Sequence, residues 1–184
     1  MSEAANNDAT LVQRAKDGDK TAFAALYERY QPPVFTYVYY RVDSQTLAED
    51  LTAEVFVRMV AKIRTYRAAS PLLAWLYTIA RNLITDHYRQ ASRLTPLHER
   101  TAMSQIDLSE EAHCRLQETE LRTALKKLSE DQRQVVLLKF IERRSNAQIA
   151  ALLGKTEGAI KSLQHRALGA LRRYLNKPNK NEYI

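Results

Sequence analysis

The most constraining feature of this sequence is a pair of helical patterns near its carboxyl end, separated by a single glycine. The first pattern is Ser145–Leu153, the turn contains Gly154, and the second pattern is the basic segment Glu157–Arg173. Two helices joined by a tight, glycine-containing turn form a helix-turn-helix. An apolar-periodic run, Gln134–Ile141, precedes the pair. The sequence therefore predicts a small helical domain that presents a cationic helix on its surface.

The second helix of this motif is amphipathic. The apolar face of its helical wheel consists of Ile160, Leu163, Ala167 and Leu171. The opposite face consists of Lys161, Ser162, His165, Arg166, Arg172 and Arg173. Because such side chains suit base edges and phosphates, we predict that this face enters the major groove of duplex DNA. The alternative is a plain amphipathic helix whose basic face is solvated.

The charge of the chain is concentrated where this motif lies. The net charge is +7, yet the segment from 155 to 180 holds seven Lys and Arg residues against one acid, Glu157. Such a local excess of positive charge favours phosphate contact. The alternative is a solubilising tail.

The whole chain is predicted to be all-α, with two small helical domains joined by a flexible linker. Only four glycines and five prolines occur in 184 residues, and few segments alternate with the period of a strand. The predicted divisions are a first domain at 9–90, a linker at 91–112, the helix-turn-helix domain at 113–175 and a tail at 176–184. Within the first domain, Pro32 and Pro33 predict a kink or break in a helix over 20–41. A third helix, over 44–64, is expected to turn Val60 inward.

The fourth predicted helix, 72–90, has a different chemistry from the basic helix. Its polar and aromatic residues, with the loop before it, supply candidate contacts to unpaired bases: Tyr66, Arg67, Thr78, Arg81, Asn82, Asp86 and Arg89. Rings stack on bases, an amide reads a base edge and a guanidinium holds a phosphate. Trp75 and Tyr77 belong to the same helix, and for Trp75 we favour burial in the core.

The third predicted helix carries acids beside apolar residues. Glu49, Asp50 and Glu54 could mean acid–base chemistry or a metal site, but no partner histidine or glycine-rich loop accompanies them. An acidic rim around apolar residues is also a protein-docking surface, which we prefer. The sequence carries no catalytic motif. We therefore expect a protein that is not an enzyme and that uses neither a cofactor nor a metal.

The remaining sequence features concern the cellular compartment in which the protein is expected. Cys114 is the only cysteine, so no disulfide can form within the chain, which fits a reducing environment. The first eight residues lack the apolar core of a signal peptide. No apolar run approaches the roughly 20 residues that a membrane span needs. We expect a cytoplasmic protein that does not insert into membranes.

Three motifs resemble those of bacterial sigma factors of the extracytoplasmic-function class. Ala48–Arg58 is similar to the region-two helix that docks on the polymerase clamp, and Ala74–Asn82 resembles the helix that melts the promoter and binds the minus-ten element. Leu125–Leu137, with the helix-turn-helix after it, resembles region four, which binds the minus-thirty-five element. The resemblance implies polymerase contacts by Asp50, Glu54, Phe56 and Arg58. Its implied partners are core RNA polymerase, promoter DNA in duplex and single-stranded form, and an anti-sigma factor.

The sequence leaves two other functions open. A conventional helix-turn-helix transcription regulator would share the carboxyl-terminal motif and bind duplex DNA alone. An all-helical adaptor would use the acidic helix but not the basic one.

Overall fold

A computed structural model describes residues 7–94 and 110–175, with the side chains of 7–92 and 118–175. These residues form helices and turns without a strand, which confirms the all-α prediction. They belong to two compact units that divide after Leu94. The predicted tail and the middle of the predicted linker lie outside the described residues.

Within residues 7–94, the first unit contains four α-helices. They are α1 (Asp8–Lys16), α2 (Lys20–Tyr39), α3 (Gln45–Lys62) and α4 (Leu72–Leu94). A short 3-10 helix, Ile63–Thr65, follows α3. Helix α2 packs against α1, α3 and α4, and α3 also packs against α4. The core of this unit therefore surrounds α2.

Polar residues set where these helices begin. Ser44 accepts a hydrogen bond from the backbone N–H of Leu47 at the start of α3. The Asp19 carboxylate accepts a hydrogen bond from the backbone N–H of Thr21 at the start of α2. Such caps satisfy donors that the first helical turn leaves without a partner. Hydrogen bonds from the Thr21 hydroxyl and from Arg14 hold the pKa of the Asp19 carboxyl well below its usual range.

The prediction of a break at Pro32 and Pro33 was wrong, because α2 continues through both residues. Each internal proline removes a backbone hydrogen bond and costs about 3 kcal/mol or more. The face that passes the prolines is buried, with Tyr30, Val34 and Tyr37 all inside. Burial of one large apolar side chain contributes roughly 1.5–3 kcal/mol, so the packed face offsets the cost.

The inward placement of Val60 was also wrong, since this side chain is 52% exposed. The buried stripe of α3 runs through Val55, Phe56 and Met59. Val60 follows Met59 directly and is turned about 100° away from it around the helix axis. Val55 and Ile63, also predicted to point inward, are buried, so only Val60 departs from the predicted stripe.

The described part of the second unit, residues 110–175, also contains four α-helices. They are α5 (Glu110–Lys126), α6 (Glu130–Val136), α7 (Asn146–Leu153) and α8 (Glu157–Leu175). A π-helical turn, Leu137–Ile141, extends α6. Helix α8 packs against α5, α6 and α7. Both α4 and α5 enter the segment predicted as linker, since α4 extends to Leu94 and α5 begins at Glu110.

Two capping boxes start the helices that precede α8. At α6, the Ser129 hydroxyl accepts from the N–H of Gln132, whose side chain accepts from the N–H of Ser129. Ser145 and Gln148 repeat the arrangement at α7. Each box satisfies two backbone donors, so both short helices have defined first turns.

Candidate nucleic-acid interfaces

The two faces of α8 are those that its sequence predicts. Ile160 and Ala167 are fully buried, and Leu163 and Leu171 are at most 9% exposed. The six predicted contact residues all lie on the exposed side: Lys161, Ser162, His165, Arg166, Arg172 and Arg173. Four of the six are Lys or Arg, and no acidic side chain lies among them. The face is therefore a continuous cationic surface.

The turn before α8 sets the direction in which that surface points. Gly154 adopts a left-handed backbone with φ of 63° and ends α7. The N–H of Lys155 then bonds to the carbonyl of Ala150 at 3.0 Å. The Thr156 hydroxyl accepts from the N–H of Ala159 and caps α8. Because glycine adopts this backbone without a steric penalty, the turn can be tight.

A side-chain hydrogen bond ties α7 to α8. The amide nitrogen of Gln164 donates to the side-chain oxygen of Asn146 at 3.0 Å. Both residues are half-buried. This bond holds Asn146, the first residue of α7, beside α8. Its partner Gln164 lies one helical turn beyond Lys161. No local sequence pattern predicts this bond, because the two residues are eighteen positions apart.

The outer face of α4 carries a second polar stripe. Thr78, Arg81, Asn82 and Arg89 are all exposed, at spacings that share one helical face. No hydrogen bond or ion pair joins the Arg81 or Asn82 side chain to the rest of residues 7–94. The stripe therefore offers a free guanidinium and a free amide. Thr85 lies between these residues and is also exposed. Because Thr85 is four residues after Arg81, its helical spacing could have placed it on the same face.

Two other predicted residues of this region are arranged differently. Asp86 is half-buried and accepts from Arg89 at 2.9 Å, an ion pair between adjacent turns of α4. This pair neutralises much of the carboxylate charge beside the stripe. Arg67, in the loop before α4, is exposed.

The structure does not support the predicted contact of Tyr66 with a base. Its side chain is 7% exposed, and its hydroxyl donates to the carbonyl of Ser70 at 2.5 Å. The Trp75 ring lies 5.2 Å from the Tyr66 ring, and Lys16 donates to the Tyr66 carbonyl. Burial raises the pKa of the Tyr66 hydroxyl. Tyr66 thus closes the loop before α4, and neither face of its ring is open to a base.

The other aromatic residues of α4 are largely core residues. Tyr77 is 4% exposed and stacks on Tyr37, with ring centroids 4.5 Å apart. Trp75, for which we favoured burial, is half-buried. These two rings of α4 therefore pack on aromatic rings elsewhere in the first unit, with Tyr77 on Tyr37 and Trp75 on Tyr66.

The outer face of α3 carries the predicted acidic residues. Asp50 is exposed, while Glu54 and Arg58 are half-buried and form an ion pair at 2.9 Å. Asp50 and Glu54 lie one turn apart and can meet the same basic partner surface. Val57 continues this face and is 62% exposed.

Phe56, predicted as a polymerase contact, is buried. It is 6% exposed, and its ring centroid lies 4.7 Å from that of Tyr27 in an edge-to-face arrangement. Phe56 instead forms the floor of a groove of about 290 Å³ between α2 and α3, with Phe23, Tyr27 and Val60 on its walls. The exposed apolar residues of this surface are Tyr27, Val57 and Val60. The sequence did not reveal them, because their spacing alone also fits a buried face.

The described residues give no sign of metal chemistry or of a membrane span. Within residues 7–94 and 110–175, no group of three or more His, Cys, Asp or Glu side chains could hold a metal ion. None of the helices described here combines the length and the apolar character that crossing a membrane requires.

Two protein families match the chain over these same surfaces. Sigma-70 region 2 matches residues 26–94, which include the outer faces of α3 and α4. Sigma-70 region 4 matches residues 118–171, which include α7 and most of α8. A relative from Mycobacterium tuberculosis, the ECF RNA polymerase sigma factor SigC, is 34% identical over 163 residues, covering 88% of this chain and 87% of the relative. The chain belongs to the ECF class of RNA polymerase sigma factors.

A second relative is longer than this sigma factor. The ECF RNA polymerase sigma factor BldN of Streptomyces coelicolor is 39% identical over 170 residues, which cover 90% of this chain but 64% of the relative. The matched part of the chain thus spans less than two thirds of that relative's length. Family membership does not favour the conventional helix-turn-helix regulator that the sequence left open.

Solved structures share the fold of this sigma factor. CnrH, in complex with the cytosolic domain of CnrY, matches with a TM-score of 0.66 and 24% identity over 92% of this chain and 97% of that chain. The sigma factor RpoE from Bartonella quintana, in complex with the anti-sigma factor NepR, matches with a TM-score of 0.56 and 24% identity. The match covers 85% of this chain and 98% of that chain. At this identity the likeness shows the fold alone.

Proposed function

We propose that this sigma factor docks on core RNA polymerase through its first unit and binds a promoter at two elements, one with each unit. The observation that carries the proposal is the presence of an exposed, cation-bearing helix face in each family-matched unit. These faces differ in chemistry: α8 presents four Lys or Arg residues, and α4 presents guanidinium groups beside a free amide.

The polymerase contact is assigned to the outer face of α3. Asp50 and Glu54 supply negative charge on one side of the helix, and the exposed Val57 and Val60 supply apolar area next to it. A charged rim beside an apolar patch is the usual composition of a protein interface. Phe56 supports this surface from beneath, and Arg58 holds the Glu54 carboxylate in place.

The outer stripe of α4 is assigned to the non-template strand of the minus-ten element. A base that leaves the duplex needs a donor and acceptor for its edge and a cation for the neighbouring phosphate. The Asn82 amide supplies the donor and acceptor for the base edge, and Arg81 and Arg89 supply the cation for the phosphate. The Thr78 hydroxyl donates to the carbonyl of Ala74, so its oxygen remains an acceptor for a base edge. Tyr66 acts indirectly, by fixing the loop that carries Arg67.

The outer face of α8 is assigned to the major groove of the minus-thirty-five element. Lys161, Ser162, His165 and Arg166 belong to the first half of the helix, where a recognition helix contacts base edges. Arg172 and Arg173 lie in the last turn and suit phosphates. On this proposal the protein acts in the cytoplasm, catalyses no reaction itself and is held inactive by an anti-sigma factor.

The test is to mix the purified chain with core RNA polymerase and measure co-elution and transcription from a genomic DNA library. The proposal expects a stable complex and transcripts that start at a small set of shared upstream sequences. The chain alone should not start transcription. A conventional regulator would leave the start sites of the core enzyme unchanged, which would contradict the proposal.

A further inference from the structure

Arg143 has a backbone conformation that its residue type disfavours. Its φ is 54°, and among residues 7–94 and 110–175 it is the one non-glycine residue with a positive φ. Its side chain is exposed. The left-handed region brings Cβ close to the next carbonyl oxygen in every L-residue except glycine, so the conformation costs free energy here.

The backbone explains the conformation but not the choice of arginine. The N–H of Glu142 bonds to the carbonyl of Leu137 at 3.0 Å, and the N–H of Arg144 bonds to that of Leu138 at 2.9 Å. These bonds close the π-helical turn, and a left-handed residue between the two donors makes the closure possible. Glycine is the usual residue at such a position, and neither bond uses the Arg143 side chain.

The side chain of Arg143 also lacks a stabilising contact of its own. Arg144, its neighbour, is half-buried and pairs with Glu142 at 2.8 Å. No hydrogen bond or ion pair joins the Arg143 guanidinium to the described part of the second unit. A cation near a helix end gains some energy from the helix dipole, but Lys139 and Arg144 already supply cations there.

The position of Arg143 relates it to the α8 surface. Ser145 caps α7 two residues later, and the next residue, Asn146, bonds to Gln164 of α8. In a docked helix-turn-helix, the first helix crosses the sugar–phosphate backbone while the second lies in the groove. The segment that enters α7 is thereby held at the edge of the surface that faces DNA.

We propose that Arg143 binds a backbone phosphate at the edge of the major groove that α8 occupies. This inference rests on the assignment of α8 to duplex DNA. An arginine occupies the left-handed position, where glycine would be more stable, because its guanidinium serves DNA binding. The contact adds affinity without adding sequence preference, since phosphates carry no base identity.

The test compares three variants of the full chain: Arg143→Gly, Arg143→Asn and Arg143→Lys. Glycine and asparagine both tolerate the left-handed backbone but lack the charge, whereas lysine keeps the charge. The probes are a short duplex that the wild-type chain selects from a random-sequence pool and a scrambled duplex of the same composition. Affinity is measured at several salt concentrations, and thermal unfolding is followed for each variant. Lys127→Asn, which removes another exposed cation of the same unit, is the control.

We expect Arg143→Gly and Arg143→Asn to bind both duplexes roughly tenfold more weakly, with a salt slope smaller by about 0.9. Their melting temperatures should equal or exceed that of the wild type. Arg143→Lys should keep the salt slope, and Lys127→Asn should change neither quantity.

Three results would overturn the inference alone: an unchanged affinity and slope in Arg143→Gly, a loss confined to the selected duplex, or a clear fall in melting temperature in that variant. The second result would make Arg143 a base contact, and the third would make it a residue kept for stability. If the wild-type chain selects no duplex at all, the assignment of α8 to duplex DNA fails, and the inference fails with it.

Discussion

Four tyrosines of the first unit, Tyr30, Tyr37, Tyr66 and Tyr77, are at most 7% exposed, whereas the described aromatic rings of the second unit, Phe140 and Tyr174, are 50% and 42% exposed. The core of the second unit is aliphatic, built from residues such as Leu125, Leu138, Ile149 and Ile160. These four tyrosines therefore belong to the core of the first unit, whereas the described aromatic rings of the second unit lie at its surface.

This difference explains why the buried face of α8 was easier to predict than the position of Tyr66. The four residues of that face are all aliphatic, so the helical wheel identifies it from sequence. A tyrosine has an apolar ring and a polar tip, and it fits either a core or a wet surface. The sequence around α4 is rich in such residues, and Tyr66, predicted to contact a base, is buried.

The largest expected effect tests the aromatic core directly. Tyr66→Ala should lower the free energy of unfolding by about 3–5 kcal/mol, because it removes a buried ring. Tyr66→Phe keeps the ring and loses the hydrogen bond to Ser70, which should cost about 1 kcal/mol. Urea denaturation of the full chain measures both. Arg67→Ala, at the exposed neighbour, should stay within about 0.5 kcal/mol.

A Tyr66→Ala variant that unfolds at the wild-type urea concentration, yet fails to form open complexes, would return Tyr66 to the DNA surface. The contrast between the aromatic core of the first unit and the aliphatic core of the second would then lose its main support.

The next effect concerns α3, whose acidic face has no counterpart on α8. The double variant Asp50→Lys, Glu54→Lys should weaken core polymerase binding by about 3–4 kcal/mol, because two attractive charges become repulsive. Its helicity by circular dichroism should not change, since the Glu54–Arg58 pair is a surface pair and contributes little. Asp17→Lys, at an exposed acid outside α3, is the matched control and should bind normally. Polymerase affinity retained by the double variant would refute the docking assignment.

A smaller effect separates the two DNA-facing helices. Together, Arg81→Ala and Asn82→Ala should weaken binding of the holoenzyme to a promoter with a pre-melted minus-ten bubble by about 2–4 kcal/mol. Both residues are exposed, so thermal stability and polymerase affinity should remain those of the wild type. Lys20→Ala removes an exposed cation outside α4 and serves as the control. If the double variant binds the bubble normally but the closed duplex poorly, α4 contacts duplex DNA as α8 does.

The smallest effect tests sequence discrimination by α8. Arg166→Ala should weaken binding to the cognate minus-thirty-five element by about 1–3 kcal/mol if the guanidinium contacts a base. Elements mismatched at that base should lose less, because the contact is already broken there. Electrophoretic mobility shifts at fixed salt measure both series. An equal loss on all elements would make Arg166 a phosphate contact.

Local sequence was sufficient wherever one helix could be considered alone. The two faces of α8, the cap at Ser44 and the turn at Gly154 follow from the helical period, from hydroxyl chemistry and from the backbone freedom of glycine. The exposure of Asp50, Arg81 and Asn82 follows in the same way. These features depend on interactions within a few residues, which the sequence displays directly.

Tertiary structure decided the features that depend on distant partners. Helix α2 passes Pro32 and Pro33 because its buried face packs on three other helices. Phe56 lies inside and Val60 outside because the stripe of α3 that packs on α2 and α4 passes through Phe56 and Met59. The Asn146–Gln164 bond and the left-handed Arg143 likewise require a particular arrangement of helices and turns. Residues far apart in the chain supply the free energy that fixes these details, and no local pattern encodes which of them will meet.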